Sequence, residues 1–589
     1  MKSKNLFNLI ASAALSVVAV SPVLSQDNLG ASCGCPLVSL RTDVLMSQLP
    51  GYNAVAGTYG GDLTTGGALT CANNYILDVK IYVPSGQILT IQPGTVIKGM
   101  LKTVPAESVA LVVSRGGKII ASGTESCPIV FTAQADPMTG AYSLQNKGKW
   151  GGLVLLGKAS NNLTLAANGP FNAGSGDKKI AVGDGLGVVE GFAASTIQDR
   201  FGVLQSGTVA GETIGAFDDN DNSGILRYVS VRHAGAILSV GSEINGVTLG
   251  SVGRGTTIEH VEVVSCADDN IELFGGTVNL KYITTLFGND DMYDYDLGWT
   301  GKAQFLFGMK SDLTSSADND NGFEADNDDQ KSYNTPISNP KFYNVTLIGN
   351  AKATGNADNT GLAAIQAKEF ASGEFYNSIF ANFRNGLDVV KTVANVNLTA
   401  GARSLAAGGD SWHNWTNSPA TATTATATTG NGTQTLKVKC NTFVNCTNPL
   451  TNGATISSAG TPITSGADFT QFTTTDMNQI VASLPGFEFN FTANTATNSF
   501  TVNNDVVPNP AVSTTGCPTV PVDGFFEPAN YRGAFSSVPS ENWLSNWTYS
   551  ALIDTTNGLD GCPTDLNGDG VTDVNDFIIF APAFGTSCN

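Results

Sequence analysis

The sequence predicts an all-β chain: a right-handed parallel β-helix solenoid with a small EF-hand-like module at its C-terminus. Three observations point there. Residues 76–133 are short apolar segments punctuated by glycine and proline turns. Strand-like segments recur through the middle of the chain, together with their acidic neighbours. A run close to the C-terminus carries the oxygen ligands of a calcium loop at the required spacing.

The strands come first. Ile88-Leu89-Thr90-Ile91 runs into Pro93-Gly94 and resumes as Thr95-Val96-Ile97; Leu111-Val112-Val113 leads to Gly116-Gly117 and then Lys118-Ile119-Ile120-Ala121. Apolar alternation bounded by Gly and Pro is the grammar of strands and turns, and no 3.6-residue period competes with it. Further on, Ile258-Glu259-His260-Val261 recurs 22 residues later as Leu280-Lys281-Tyr282-Ile283. The same offset pairs Asp268 with Asp290, Asp269 with Asp291, and Glu272 with Asp294. Leu226-Arg227-Tyr228-Val229 is an earlier copy; Phe342-Tyr343-Asn344-Val345 and Phe375-Tyr376-Asn377-Ser378 are later ones. A fixed strand pattern with variable spacing describes coils of one solenoid with loops inserted at a corner, each coil burying its face against its neighbours. An antiparallel sandwich would match the apolar positions by chance but not the acidic ones.

The flanks complete the organisation. Lys2 and Lys4 precede an apolar run from Leu6 to Val23, and Val23-Leu24-Ser25 offers small residues for a signal peptidase, so residues 1–25 read as an export signal cleaved before Gln26. The competing reading, a membrane anchor, fails on Asn8, Ser12, Ser16, Ser21 and Pro22, and no other stretch could span a bilayer. The chain is therefore expected outside the membrane, secreted or at the cell surface. Residues 26–75 read as an N-terminal segment and cap, 76–415 as the β-helix, 416–516 as a Thr/Ala-rich loop and insertion, and the aromatic 517–555 as a cap on the open end of the solenoid.

Composition narrows the partners. Charged residues are 14% of the chain, and Asp+Glu outnumber Lys+Arg by 50 to 30, a net charge of −20. Such a field repels nucleic acid and suits divalent cations. Ten cysteines in an oxidising compartment imply disulfides, whereas three histidines without paired C-x-x-C motifs argue against zinc.

Several segments resemble those of secreted bacterial proteins with a pectin-lyase-like β-helix: Ile88–Gly99, Gly116–Thr132, Trp150–Gly157, Asp219–Gly235, Gly253–Val261 and Phe525–Thr548. The resemblance covers most of residues 50–550. It implies the fold and export but carries no settled activity.

The sharpest chemical motif is Asp565-Leu566-Asn567-Gly568-Asp569-Gly570-Val571-Thr572-Asp573, closed by Asp576. Asp565, Asn567, Asp569, the Val571 carbonyl, Asp573 and Asp576 fall at calcium-loop positions 1, 3, 5, 7, 9 and 12, with Gly570 at the turn. Asp in place of the usual Glu at the last position resembles dockerin modules. Dockerins carry two such loops and this chain has one, which counts against a cohesin partner. Cys562 and Cys588 bracket the loop, and a disulfide between them would staple a module too small for its own core.

A second candidate is an acidic ladder of Asp268, Asp269, Glu272, Asp290, Asp291 and Asp294 on two adjacent coils, with Asn289 and Asp296 alongside. Carboxylates stacked at inter-coil spacing need a cation such as calcium, or protons, although Asn/Asp corner turns would use the same residues without a metal. Asp218-Asp219-Asn220-Asp221-Asn222 and Asp318-Asn319-Asp320-Asn321 are expected near neighbouring coils. Arg227, Arg232, Arg254, Lys281 and Lys302 are the basic groups expected near the ladder, any of which a calcium-dependent polysaccharide lyase would need as its base. His233 and His260 read as stacked or turn-bonded side chains. Two functional readings follow: a non-catalytic carbohydrate- or partner-binding β-helix with structural calcium, and, as the alternative, a calcium-dependent polysaccharide lyase or glycosidase.

Overall fold

The computed structural model describes residues 26–549 apart from 65–67, 140–141, 166–179, 193–195, 240–241, 311–320, 328–334, 351–362, 369–370, 391–435, 454–460, 495–498, 507, 509–510, 539–540 and 546. Residues 1–25, read above as an export signal, the whole 416–435 tract, and the expected calcium loop with Cys562 and Cys588 lie outside these residues.

Parallel ladders dominate. A 17-stranded and a 13-stranded sheet run the length of the molecule. In each coil a long strand such as Thr257–Val264 or Asn279–Leu286 belongs to the first sheet, and a short one such as Ile271–Phe274 or Tyr293–Asp296 to the second. The long strands are bent once, at a residue with positive φ: Tyr228, His260, Tyr282, Phe305 and Asn344 hold this position on successive coils. The bend turns one strand into two faces of a three-sided coil. Left-handed backbone is costly for side chains with a Cβ, so it is held by the ladders on either side.

The register is the one the 22-residue offset predicts. Ile258 stands opposite Leu280, and Glu272 opposite Asp294. Alternation then sends one set of side chains inward. Leu226, Ile258, Leu280, Ala303, Phe342, Phe375 and Val438 form one interior row. Val247, Ile271, Tyr293, Phe323, Ile365, Leu387 and Leu450 form another. These residues are 0–4% exposed. Phe342 and Phe375 stack at 4.7 Å, the inter-coil spacing expressed in side chains.

The solenoid extends beyond the boundaries read from the sequence. Its first rung is Thr42–Leu45 on Asn73–Leu77, within the segment assigned to the N-terminal cap. Leu436–Lys439, Thr442–Val444 and Gln479–Val481 continue the first sheet through the region read as insertion. Short turns at residues 26–40 are tied to the first coils by the Cys33–Cys127 and Cys35–Cys71 disulfides. At the far end, Phe472 from the helical turns 466–475 is fully buried against Phe443 and plugs the core.

The aromatic C-terminal segment is not the end cap that its composition suggested. Fixed by the Cys440–Cys517 disulfide, it reverses and runs back along the outside of the solenoid. Arg532 reaches the Asn441 carbonyl at 2.7 Å, Gly533 donates to Asn377, Ala534 to Thr346, and the Tyr549 N–H to the Glu262 carboxylate. Trp547 meets Tyr228 and His260 edge-on, and Trp543 leans on Tyr282. The strap thus covers the bend, where the αL side chains leave an aromatic stack facing outward. Among the described residues, no helix is long and apolar enough to cross a membrane.

Candidate metal centre

Strand alternation places the outward row of the second sheet opposite the interior one. Thr248, Glu272, Asp294, Glu324, Gln366, Asp388 and Thr451 succeed one another up this row. The row is closed off from water: Glu272, Asp294 and Asp388 are 1–3% exposed. Asp388 keeps a carboxyl raised by burial, with Thr451 donating to it at 2.6 Å, and Lys368 pairs with Glu324 and with Asp326. Position in the sheet therefore accounts for a line of carboxylates, and its upper part carries its own counter-charges.

In the lower part three carboxylates converge. Asp269, in the corner before the strand, brings a carboxylate oxygen within 4.8 Å of one from Glu272 and one from Asp294. All three are buried, at 2%, 1% and 1% exposure. Asn245 donates its amide to Glu272, while its own Oδ1, also buried, has no hydrogen-bond partner. Two oxygens on one calcium ion are at most about 5 Å apart, twice the usual bond length. Hard carboxylate donors at this spacing, with an orphan carbonyl oxygen beside them, fit calcium.

A second group joins Asp268 and Asp269 to Asp290. Two ammonium groups stand at its edge. Lys147 donates to Asn289 Oδ1, and the fully buried Lys310 donates to the Asp290 carbonyl. Asp291 belongs to neither group. It serves the corner instead, accepting the Asn321 amide as Asp269 accepts the Asp291 amide at 2.8 Å. Asn321 in turn accepts the amide of Ala363. The corner turns use Asp269, Asp291 and Asn321, and the cation-sized cluster comprises Asp269, Glu272 and Asp294.

The basic residues expected near the ladder are elsewhere. Arg227, Arg232, Lys281 and Lys302 sit on strands of the first sheet, and each is engaged. Arg227 pairs with Glu259, Arg232 with the buried Glu262 at 3.6 Å, Lys281 with Glu527 at 3.0 Å and Lys302 with Asp523 at 2.6 Å. Arg254 pairs with Asp219, which also caps the Ser160 amide. Sequence alternation tells inside from outside but not which face of a three-sided coil, so this misplacement had no local signal. His233 and His260 fall where expected. Burial pushes both imidazoles down to about 4; His233 bonds the Asn146 carbonyl through Nδ1, and His260 is stacked between Tyr228 and Tyr282.

Comparison with known families decides the lineage. The model of the pectate-lyase-like β-helix domain matches residues 61–183 and 166–457. The chain belongs to this pectate-lyase-like family. No curated protein and no solved structure matches it. The family's matched region contains the whole acidic row and ends at residue 457, before the strap.

Proposed function

We propose that the protein is an exported β-helix that binds extracellular polysaccharide without cleaving it, with calcium as a structural ion. Calcium would be held by Asp269, Glu272 and Asp294, and by the C-terminal loop of Asp565, Asn567, Asp569, Val571, Asp573 and Asp576. The observation that carries the non-catalytic reading is the placement of the basic groups. Lyase chemistry needs a base of lowered pKa within reach of the substrate's proton. Here Arg227, Arg232, Arg254, Lys281 and Lys302 are committed to ion pairs, four of them on the sheet away from the carboxylates, and the two ammonium groups beside the acidic cluster are bonded within the fold, Lys147 to Asn289 and the fully buried Lys310 to the Asp290 carbonyl. The pectate-lyase-like domain supports a polysaccharide-related role outside the cell. The test is incubation with a panel of acidic and neutral polysaccharides in calcium, following both retention on the polymer and new 4,5-unsaturated ends. Retention without new ends is expected. Unsaturated ends produced at catalytic turnover would establish the lyase reading instead.

A further inference from the structure

The disulfide that anchors the strap has an unusual neighbour. Cys440 is fully buried on the solenoid, whereas Cys517 is half-buried and lines a cavity of about 480 Å³ between Asn377 and the strap at Thr514, Pro518–Val520 and Pro528–Asn530. That volume admits a small molecule. Arg532 reaches the same sulfur, its Nη2 lying 3.6 Å from Cys517 Sγ.

Arg532 is 4% exposed, and its other partners are neutral oxygens. Nε donates to the Ser513 carbonyl at 3.2 Å, and Nη1 to the Asn441 carbonyl at 2.7 Å and to Thr442 Oγ1 at 3.2 Å. No carboxylate faces it among the described residues. Burial pushes the guanidinium down to about 10, so at neutral pH it still carries its charge, without a counter-ion. A buried cation left unpaired is costly, and sulfur in a disulfide is only a weak acceptor. A thiolate at the same place would supply the missing charge. The reduced state thus makes an interaction that the oxidised state lacks, and stabilising the reduced form makes a disulfide easier to open.

The other two disulfides have different surroundings. Their sulfurs meet the Ser32 and Ser126 hydroxyls and the Pro93 carbonyl, and no cation among the described residues. Cys33 is nevertheless exposed, so exposure alone would open Cys33–Cys127 first.

We propose that Cys517 is a thiol-exchange site, at which a small thiol entering the cavity opens the Cys440–Cys517 bond and Arg532 holds the Cys517 thiolate that results. The incoming thiolate attacks Cys517 Sγ. The Cys440–Cys517 bond breaks, and its electron pair leaves on Cys440, which takes a proton from water. A second thiolate then attacks the outer sulfur of the mixed disulfide and departs with it as a small-molecule disulfide. Cys517 leaves as a thiolate facing Arg532. Two thiols are oxidised, the protein disulfide is reduced, and the covalent anchor of the strap is gone. The site uses neither calcium nor polysaccharide, so its failure leaves the function proposed above standing.

The test equilibrates the full chain with graded mixtures of reduced and oxidised glutathione, followed by acid quenching, alkylation and peptide mapping. Cys440–Cys517 is expected to open at a value of [GSH]²/[GSSG] at least about tenfold lower than either other disulfide. In the selectively reduced protein, Cys517 should alkylate with its half-maximal rate at least about one pH unit below the ordinary thiol value of about 8.5. Arg532→Gln, which keeps a donor and removes the charge, should shift the opening about tenfold towards more reducing mixtures and return the alkylation profile to the ordinary range. Should Arg532→Gln fail to fold, the order of opening and the Cys517 profile in the wild type decide alone. Opening of Cys33–Cys127 or Cys35–Cys71 first or together with it, a Cys517 profile at about 8.5 or above, or wild-type behaviour in folded Arg532→Gln overturns the proposal.

Discussion

Glu262→Gln is expected to be among the most destabilising single substitutions that leave the fold's shape unchanged. Glu262 and Arg232 are 0% and 2% exposed at their side chains and 3.6 Å apart. Ser230 joins them, donating to Glu262 at 2.6 Å and accepting from Arg232 Nε at 2.6 Å. The Tyr549 N–H lies 2.7 and 2.9 Å from the two carboxylate oxygens, and its ring lies 4.9 Å from the Arg232 guanidinium. The amide keeps the volume but removes the charge that Arg232 faces. Breaking a buried pair from one side typically costs 3–5 kcal/mol, whereas replacing both partners with apolar groups is often close to neutral. Glu262→Gln should therefore cost about 3–5 kcal/mol in urea unfolding, and Arg232→Met/Glu262→Leu markedly less than the sum of its single variants. The same substitution should expose the strap, read as faster tryptic cleavage within residues 525–549. A cost under about 1 kcal/mol, or a double variant as damaged as the sum, would refute the reasoning.

Three further outcomes follow from the same geometry. Phe472→Ala opens the plugged end of the solenoid and should cost about 3–5 kcal/mol, measured by the same unfolding, since the side chain is fully buried. Stability should fall as pH drops from about 6.5 towards 4. His233 and His260 stay neutral when folded, their imidazoles lowered to about 4, but charge in the unfolded chain, so the unfolded state gains protons first; His260→Phe should flatten the melting profile over that window. Peptide mapping of the non-reduced protein should find Cys562 joined to Cys588, while Cys266 and Cys446 stay resistant to alkylation until unfolding, their thiols raised by burial. Cys562 or Cys588 found free would mean that the module boundary is misread.

What the sequence made legible is what repeats. Ile258 and Leu280 lie one coil apart and carry Glu272 and Asp294 with them, so the register could be read from spacing alone. The bend was illegible, because Tyr228, His260, Tyr282 and Phe305 hold left-handed backbone without a glycine to mark it. The strap was half legible. Aromatic density at Phe525, Phe526, Trp543 and Trp547 says that the segment packs, but the partners of these rings are some 180–320 residues away and leave no local trace. Arg232 and Lys281 were misplaced for a related reason, since alternation does not say which side of the coil an outward residue faces.

Calcium stoichiometry tests the central claim most directly. The full chain should bind calcium at two classes of site. Asp565→Asn/Asp569→Asn should remove one and leave the melting temperature of the solenoid calcium-dependent. Asp269→Asn/Asp294→Asn should remove the other and abolish that dependence. Equal stoichiometry in wild type and Asp269→Asn/Asp294→Asn, with the solenoid still indifferent to EDTA, would contradict the account and leave the acidic corner to its hydrogen bonds alone.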